Sequence, residues 1–524
     1  MAPPRPQRSA SHAGLVAAGI FLSRIFGLIR QRVLAHFLGL GDASDAFGAA
    51  FRIPNLLQNL LGEGVLSASF IPVYARLRAE GRDEEAEALA GGVFGLLAMT
   101  AALVVLAGVL LAAPLTHLVA PGWSGAKREL TIALVRLLFP GAALLVGSAW
   151  CLGVLNSHRR FLLSYAAPVL WNLAIIGTLL LTATRGDAPG AATAAALGSV
   201  LGSALQFLVQ LPAVLRLLGR LRPRPSPADP NLRAVLRSFG PVLLGRGVVQ
   251  VSGFVDTMIA SLLGTGAVAG IAAAQVLYTL PVSLFGMAVS AAELPAMSSA
   301  QGTDQEVAAA LRARLLPGRR RIAFFVVPSA VAFLAFGGLI AAALFQTGSF
   351  SARDSAYVWG ILGGSAVGLL AATQGRLYSS AFYALRDPQT PLRCATIRVV
   401  AGAGLGIVAA LALPGVLGID AAWGAAALTA ASGLAAILEV RLLRTALARR
   451  LGDLPSGARE TAGLWLSALG AAAVGAGVAW LLPEVPVILR AAAVLLPYGL
   501  VYLGLTLALR APDALALVAR FRRR

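Results

Sequence analysis

Residues Ser23 to Ala75 read SRIFGLIRQRVLAHFLGLGDASDAFGAAFRIPNLLQNLLGEGVLSASFIPVYA. Two apolar runs meet here at the short turn around Gly39–Asp42, and each is long enough for a membrane crossing of about 20 residues. Both carry ionisable side chains at depths where hydrocarbon is expected. The pattern returns later in the chain. Phe37–Leu57, FLGLGDASDAFGAAFRIPNLL, is echoed by Leu262–Leu284, LLGTGAVAGIAAAQVLYTLPVSL. SASFIPVYA follows the first copy as SAAELPAMS follows the second, and VLNSHRRFLLSYAAPVLWNL is echoed by FYALRDPQTPLRCATIRVV. An internal repeat of this kind predicts two lobes of similar build, with a substrate site near the membrane midplane.

Composition extends the membrane reading to the whole chain. Hydrophobic residues make up 58% and charged residues 13%, and the mean hydropathy is +0.79. A soluble protein carries roughly 25% charged residues. With short loops the 524 residues hold about fourteen spans. These fall near 13–37, 43–74, 87–118, 127–156, 161–184, 190–219, 232–262, 267–299, 320–347, 354–385, 391–414, 419–447, 459–482 and 487–510. The expected fold is an all-α integral membrane protein: two repeated six-helix lobes and two further C-terminal helices. The lobes would be 1–220 and 232–450, joined by a proline-rich linker at 221–231, with the last two spans and a basic tail in 451–524.

The net charge of +20 is almost all arginine. It sits in alternate loops, such as NSHRRF, RLLGRLRPRPSPADPNLR, RARLLPGRRR and ALRDPQTPLR, and in the terminal RFRRR. The intervening loops, such as TRGDAPG and LPEVP, are poor in arginine. The positive-inside rule places the arginine-rich set and both termini in the cytoplasm, which requires an even number of spans. Charge scattered in this way does not read as a nucleic-acid surface. The N-terminal MAPPRPQRSASH lacks a small-residue cleavage site and reads as the approach to the first helix rather than a signal peptide. Cys151 and Cys394 read as small buried hydrophobes.

Ionisable residues in hydrocarbon cost at least ~2.5–3.5 kcal/mol each and are functional candidates. The first span holds Ser23, Arg24 and Arg30, with the two arginines about 120° apart around a helix. The second holds Asp45, Arg52, Asn59 and Glu63, whose spacings keep them within about 40° of one another. This stripe reads either as a structural seam closing the lobe interface or as the wall of a hydrated cavity. Pro54 is expected to interrupt the helix beside Arg52. Gln58, Arg246 and Asp256 are further cavity candidates. Arg376, Arg398, Glu439 and Glu293 read as interfacial, paired or snorkelling. Arginine suits a phosphate, because its planar fork binds two oxygens at once and stays charged.

Catalytic machinery is not expected. The sole lysine, Lys127, follows Ala126, so there is no P-loop, and neither HExxH nor CxxC occurs. The four histidines are scattered, and neither a metal nor a cofactor is expected. Energy would come from the membrane potential or an ion gradient.

Ser23–Ala75 resembles the N-terminal signature of the MurJ/MviN family of lipid II flippases, within the multidrug/oligosaccharidyl-lipid/polysaccharide exporter superfamily. RLYSSAFYALRDPQTPLR (Arg376–Arg393) resembles a second family signature, and LNSHRRFLLSYAAPVLWN a third. The resemblance implies a multi-pass protein of the bacterial cytoplasmic membrane, with the last two spans bordering a groove for a lipid tail. It implies an undecaprenyl-pyrophosphate-linked peptidoglycan precursor as substrate, moved by alternating access, and membrane lipids and cell-wall synthesis proteins as partners. It matches Ser23, Arg24 and Arg30 to cavity residues, and Asp45 and Glu63 to acidic residues of the second span. The chain departs from the family pattern at Gln31, Gln58, Val276 and Thr279, where charged residues are usual. Two alternatives stay open beside the lipid II reading: a flippase for another lipid-linked oligosaccharide, and a non-transporting wall-synthesis scaffold.

Overall fold

The computed structural model describes residues 7–184, 186–219, 221–226, 228–299, 303–452, 454 and 457–522, leaving aside the side chains of 7–18, 20, 63, 241–242, 244–249, 251–252, 291–292, 295–296, 304, 458 and 520–522. Among these the regular structure is helical throughout. The chain packs as two compact units, Met1–Ala269 with Thr347–Phe350, and Gly270–Gln346 with Ser351–Arg524.

The first unit contains α1 (Gln7–Leu38), α2 (Asp42–Leu61), α3 (Glu63–Ala79), α4 (Asp83–Leu110), α5 (Ala112–Val119), α6 (Gly125–Ser157), α7 (Phe161–Thr182), α8 (Ala188–Leu218) and α9 (Pro230–Ser261). From its end, α10 (Ala267–Pro281) runs into a π-helical turn (Val282–Met287) and α11 (Ala288–Ser298). The second unit continues with α12 (Asp304–Phe345), α13 (Ala352–Ala366), α14 (Leu369–Ala384), α15 (Gln389–Leu417), α16 (Gly424–Leu451), α17 (Ala458–Leu481), α18 (Val487–Ala508) and α19 (Pro512–Arg522).

Among the described residues, eleven helices are long and apolar enough to cross a membrane, or twelve when the α13–α14 pair, bent by 44°, counts as one span. The fourteen expected spans also include α1 and α9, each 32 residues long, whose apolar stretches run through residues outside that description. Large apolar side chains cover the outside of these helices, with Leu181, Val416 and Trp480 each at least 80% exposed. Bare leucine and tryptophan on this scale are stable only against lipid.

Helix pairs approach closely where residues are small. Ala191, Ala195, Gly198 and Gly202 of α8 are buried against α7, and Trp171 and Ile175 lie directly over the two glycines. Small faces of this kind replace the hydrophobic drive that lipid removes. Larger side chains fill two cores in the first unit, one around Phe70, Tyr74, Leu89 and Trp150, the other around Leu34, Ile53, Leu138 and Ile175. The proline-rich linker does not hang free. Gly91 of α4 lies so near the Arg222 carbonyl that a β-carbon would sit 2.2 Å from it.

One expected feature is corrected. Helix α2 continues through Pro54, and the break comes at Gly62. A β-carbon at Gly62 would lie 2.1 Å from the Gln58 carbonyl oxygen, so the chain turns where only glycine fits. Glu63 therefore opens α3, and its spacing from Asn59 no longer places it on the α2 stripe.

Prolines elsewhere are also accommodated within helices. Pro328 in α12 cannot donate to the carbonyl of Phe324, four residues earlier. Tyr502 of α18 supplies the missing donor, its hydroxyl lying 2.7 Å from that oxygen, and Tyr498 bonds the Pro328 carbonyl at 2.7 Å. These two tyrosines fix α18 against α12 in a core shared with Val331, Phe336, Leu464 and Val494. Replacing Tyr502 with Phe should strand a buried carbonyl and cost about 1–3 kcal/mol. Thermal unfolding of the detergent-solubilised protein measures this, and an unchanged midpoint would contradict the assignment.

Candidate functional site

The polar stripe of α2 is occupied along its length. Its first member, Asp45, is 1% exposed. It accepts hydrogen bonds from Lys127 Nζ at 2.7 Å and from the backbone N–H groups of Gly266 at 2.7 Å and Ala269 at 2.8 Å. These two N–H groups belong to the start of α10, where unpaired donors and the helix dipole both favour an anion. Lys127, at the start of α6, also reaches Asp42 at 2.9 Å and sits 4.4 Å above the Trp123 ring. Thr265 closes the cluster by donating to Asp42 at 2.8 Å.

Two turns further along, Arg52 Nη1 donates to the carbonyl of Gly253 and to Oγ1 of Thr257 on α9. The nearby Asp256 carboxylate adds an attractive charge. Two turns beyond that, Asn59 donates to Gln250 Oε1 at 3.3 Å. The heptad spacing of 45, 52 and 59 thus matches a descending set of partners on α9 and the start of α10. The two segments run antiparallel, joined by polar rungs. These rungs join α2 to α9 and the start of α10 within the first unit. An isolated charge here would be untenable, and each rung answers it with a charge or a directed dipole.

The first-span candidates lie apart from these rungs. Arg30 places its guanidinium 4.7 Å over the Trp171 ring of α7, while its buried Nε makes no hydrogen bond among the described residues. Arg24 is exposed and Ser23 half-buried. Gln58 is half-buried. The side chains of Glu63 and Arg246 lie outside the described residues. In the second unit Glu439 pairs with Arg398 at 3.0 Å, and Glu293 lies 3.9 Å from Arg314. Val276 and Thr279 are half-buried on α10, with Thr279 accepting from Gln275 at 3.1 Å.

The sequence reading missed Lys127 as a site residue. It weighed the lysine only against a phosphate-binding loop. The signal was there: the one amine of the chain stands at the start of a span, beside Trp123. Gln250, Gly253 and Thr257 carried no signal of their own.

A family model described as "Lipid II flippase MurJ" matches residues 34–490. The chain belongs to this family. The probable lipid II flippase MurJ of Haemophilus influenzae is 30% identical over 478 residues, covering 88% of this chain and 91% of its own. The lipid II flippase MurJ of Burkholderia cenocepacia is 32% identical over 390 residues, covering 72% and 74%. Among solved structures, a lipid II flippase MurJ in an inward closed conformation superposes with a TM-score of 0.77 at 21% identity, covering 95% of this chain and 99% of that one. An inward-facing multidrug resistance MATE transporter of the MOP superfamily gives 0.65 at 20% identity, covering 82% and 95%. Both structural likenesses concern the fold. The MurJ match spans both copies of the internal repeat.

The Asp45–Lys127 pair sets a measurable coupling. Lys127→Gln should leave a buried carboxylate underpaired and cost about 3–5 kcal/mol. The double substitution with Asp45→Asn should recover much of that loss. Melting temperatures of the four forms close the cycle, and purely additive losses would disprove the coupling.

A second test concerns the end of α6. There His158 Nε2 lies 3.0 Å from the Tyr74 hydroxyl and 2.7 Å from Arg78 Nη1. Partial burial, then the charges of Arg78 and Arg160, hold its pKa below the ordinary 6.5. The unfolded chain therefore takes up this proton first as pH falls. The stability tied to neutral His158 is complete above about pH 6.5 and is lost below it. The melting temperature should drop more between about pH 7.5 and about pH 5 in the wild type than in His158→Gln. Equal drops would show that His158 does not contribute.

Proposed function

We propose that this chain is a flippase that carries the undecaprenyl-pyrophosphate-linked peptidoglycan precursor, lipid II, from the inner to the outer leaflet of the cytoplasmic membrane. The observation that carries this reading is membership of the lipid II flippase family across residues 34–490. The arrangement of charge suits it. A pyrophosphate in a low-dielectric cavity needs planar, permanently charged donors, and arginine supplies them.

In this reading the α2 seam is the gate. Parting α2 from α9 and the start of α10 would free Arg52 from Gly253 and Thr257 and expose the stripe to the substrate. Arg24, Arg30 and Arg52 would then hold the pyrophosphate, while Asp45 returns to Lys127 and the α10 terminus when the gate closes. Asn59, Gln58, Arg246 and Asp256 would border the path, and Glu63 would stand at the joint between α2 and α3. Alternating access would move the repeat lobes 1–220 and 232–450 against each other, with both termini in the cytoplasm. The membrane potential, worth about 2.3 kcal/mol per charge per 100 mV, or an ion gradient would drive the cycle.

The test is rescue of a bacterium depleted of its lipid II flippase. Wild-type protein should restore growth and accessibility of the precursor at the outer leaflet. Arg24→Ala, expressed in the membrane at the same level, should restore neither. Rescue by Arg24→Ala would remove that residue from the pyrophosphate site, and failure of the wild type in several hosts would overturn the substrate assignment.

A further inference from the structure

The turn between α14 and α15 lies within the second signature stretch and has no part in the gate. Helix α14 ends with the Arg386 N–H bonded to the Tyr383 carbonyl at 3.0 Å and the Asp387 N–H bonded to the Phe382 carbonyl at 2.9 Å. This closure needs a left-handed residue at the turn, and glycine is the usual choice. Here the residue is Arg386, at φ 57°. Its counterpart in the first repeat, Arg159 at φ 59°, closes α6 with the same pair of bonds. An arginine held in this conformation carries a backbone cost that a glycine would avoid.

Next to Arg386 lies a cavity of about 410 Å³, lined by Arg386, Asp387, Thr390, Arg393 and Arg450 among others. Three arginines stand against a single aspartate, so the lining is cationic. The aspartate is already engaged. Asp387 accepts from the Thr390 hydroxyl at 2.7 Å, from the Thr390 N–H at 3.1 Å and from Arg450 Nη2 at 2.7 Å. It thereby orients Arg450, whose guanidinium also lies 6.0 Å from the Phe382 ring centre. Arg386 and Arg393 form no ion pair among the described residues. The volume falls within the ordinary range of small-ligand sites, roughly 300–1,000 Å³. Guanidinium forks match the oxygens of a phosphate.

The surroundings indicate where that phosphate comes from. The cavity sits where α14 ends and α15 begins, and both belong to helices apolar enough to cross a membrane. Tyr383 on α14 and Leu392 on α15 flank it, 52% and 47% exposed. A headgroup bound here could keep its acyl chains against apolar protein. We propose that the α14–α15 turn is a binding site for the phosphodiester headgroup of an anionic phospholipid, with Arg386, Arg393 and Arg450 contacting the phosphate and Asp387 positioning Arg450. The site is independent of the transported substrate.

The full-length protein, purified in a neutral detergent, can be titrated with dioleoylphosphatidylglycerol and read by native mass spectrometry, with dioleoylphosphatidylcholine as the zwitterionic control. Phosphatidylglycerol should be retained in preference, and Arg393→Gln combined with Arg450→Gln should weaken it roughly tenfold. Arg386→Gly restores the favoured turn residue. It should melt no lower than the wild type and yet retain less of the lipid, which separates a binding role from a folding one. Arg449→Gln, beside the site, should change nothing. Retention unaltered in the Arg393/Arg450 double variant and in Arg386→Gly, or equal loss in Arg449→Gln, would overturn the site. Displacement of the lipid by millimolar inorganic phosphate would keep an anion site there but overturn the phospholipid as its occupant.

Discussion

A carboxylate cannot be left alone in a membrane interior, and Asp45 shows what the fold must do to keep one there. Four components meet at that oxygen pair: the start of α2, the start of α6, the loop after α9 and the first turn of α10. None of these segments is adjacent in sequence to all the others. The charge therefore dictates a meeting point, and the heptad stripe of α2 extends it along the helix through Arg52 and Asn59. The same rule governs Pro328, whose lost hydrogen bond is made good from α18, and Glu439, which finds Arg398. In each case an apolar solvent turns a local defect into a long-range contact.

Much of the architecture was legible because hydrocarbon thickness fixes helix length. Eleven or twelve of the described helices have the length and apolarity of the expected spans, and the turn at Gly39–Asp42 falls where the apolar runs meet. The stripe on α2 was legible because residues seven apart share a face. The break in that helix was not. Proline was the obvious suspect, but an N–H is lost inside many membrane helices without consequence when neighbours compensate. Gly62 governs because of a close approach to Gln58, and such a distance leaves no mark in composition.

The site's partners were harder to read for a related reason. Lys127 lies 82 residues from Asp45, and Thr257 lies 205 from Arg52. Pairings at that range follow from packing, and packing is invisible to periodicity. Trp171 beneath Arg30 belongs to the same class. The sequence therefore showed which residues were costly, and left open what offset the cost. Departures at Val276 and Thr279 show the converse. Two second-unit charges on neighbouring helices, Arg398 on α15 and Glu439 on α16, are held by each other.

The single amine at the centre of the Asp45 cluster has a practical corollary. Lys127 is the sole lysine in 524 residues, and its side chain is 12% exposed while it grips Asp42 and Asp45. Apart from the α-amino group, an acylating reagent has one nitrogen on the chain to find. Its rate of reaction at that nitrogen is set by how often the cluster lets go. The protein thus carries a built-in chemical clock for its own closure, which can be read in intact cells without introducing a cysteine or a dye.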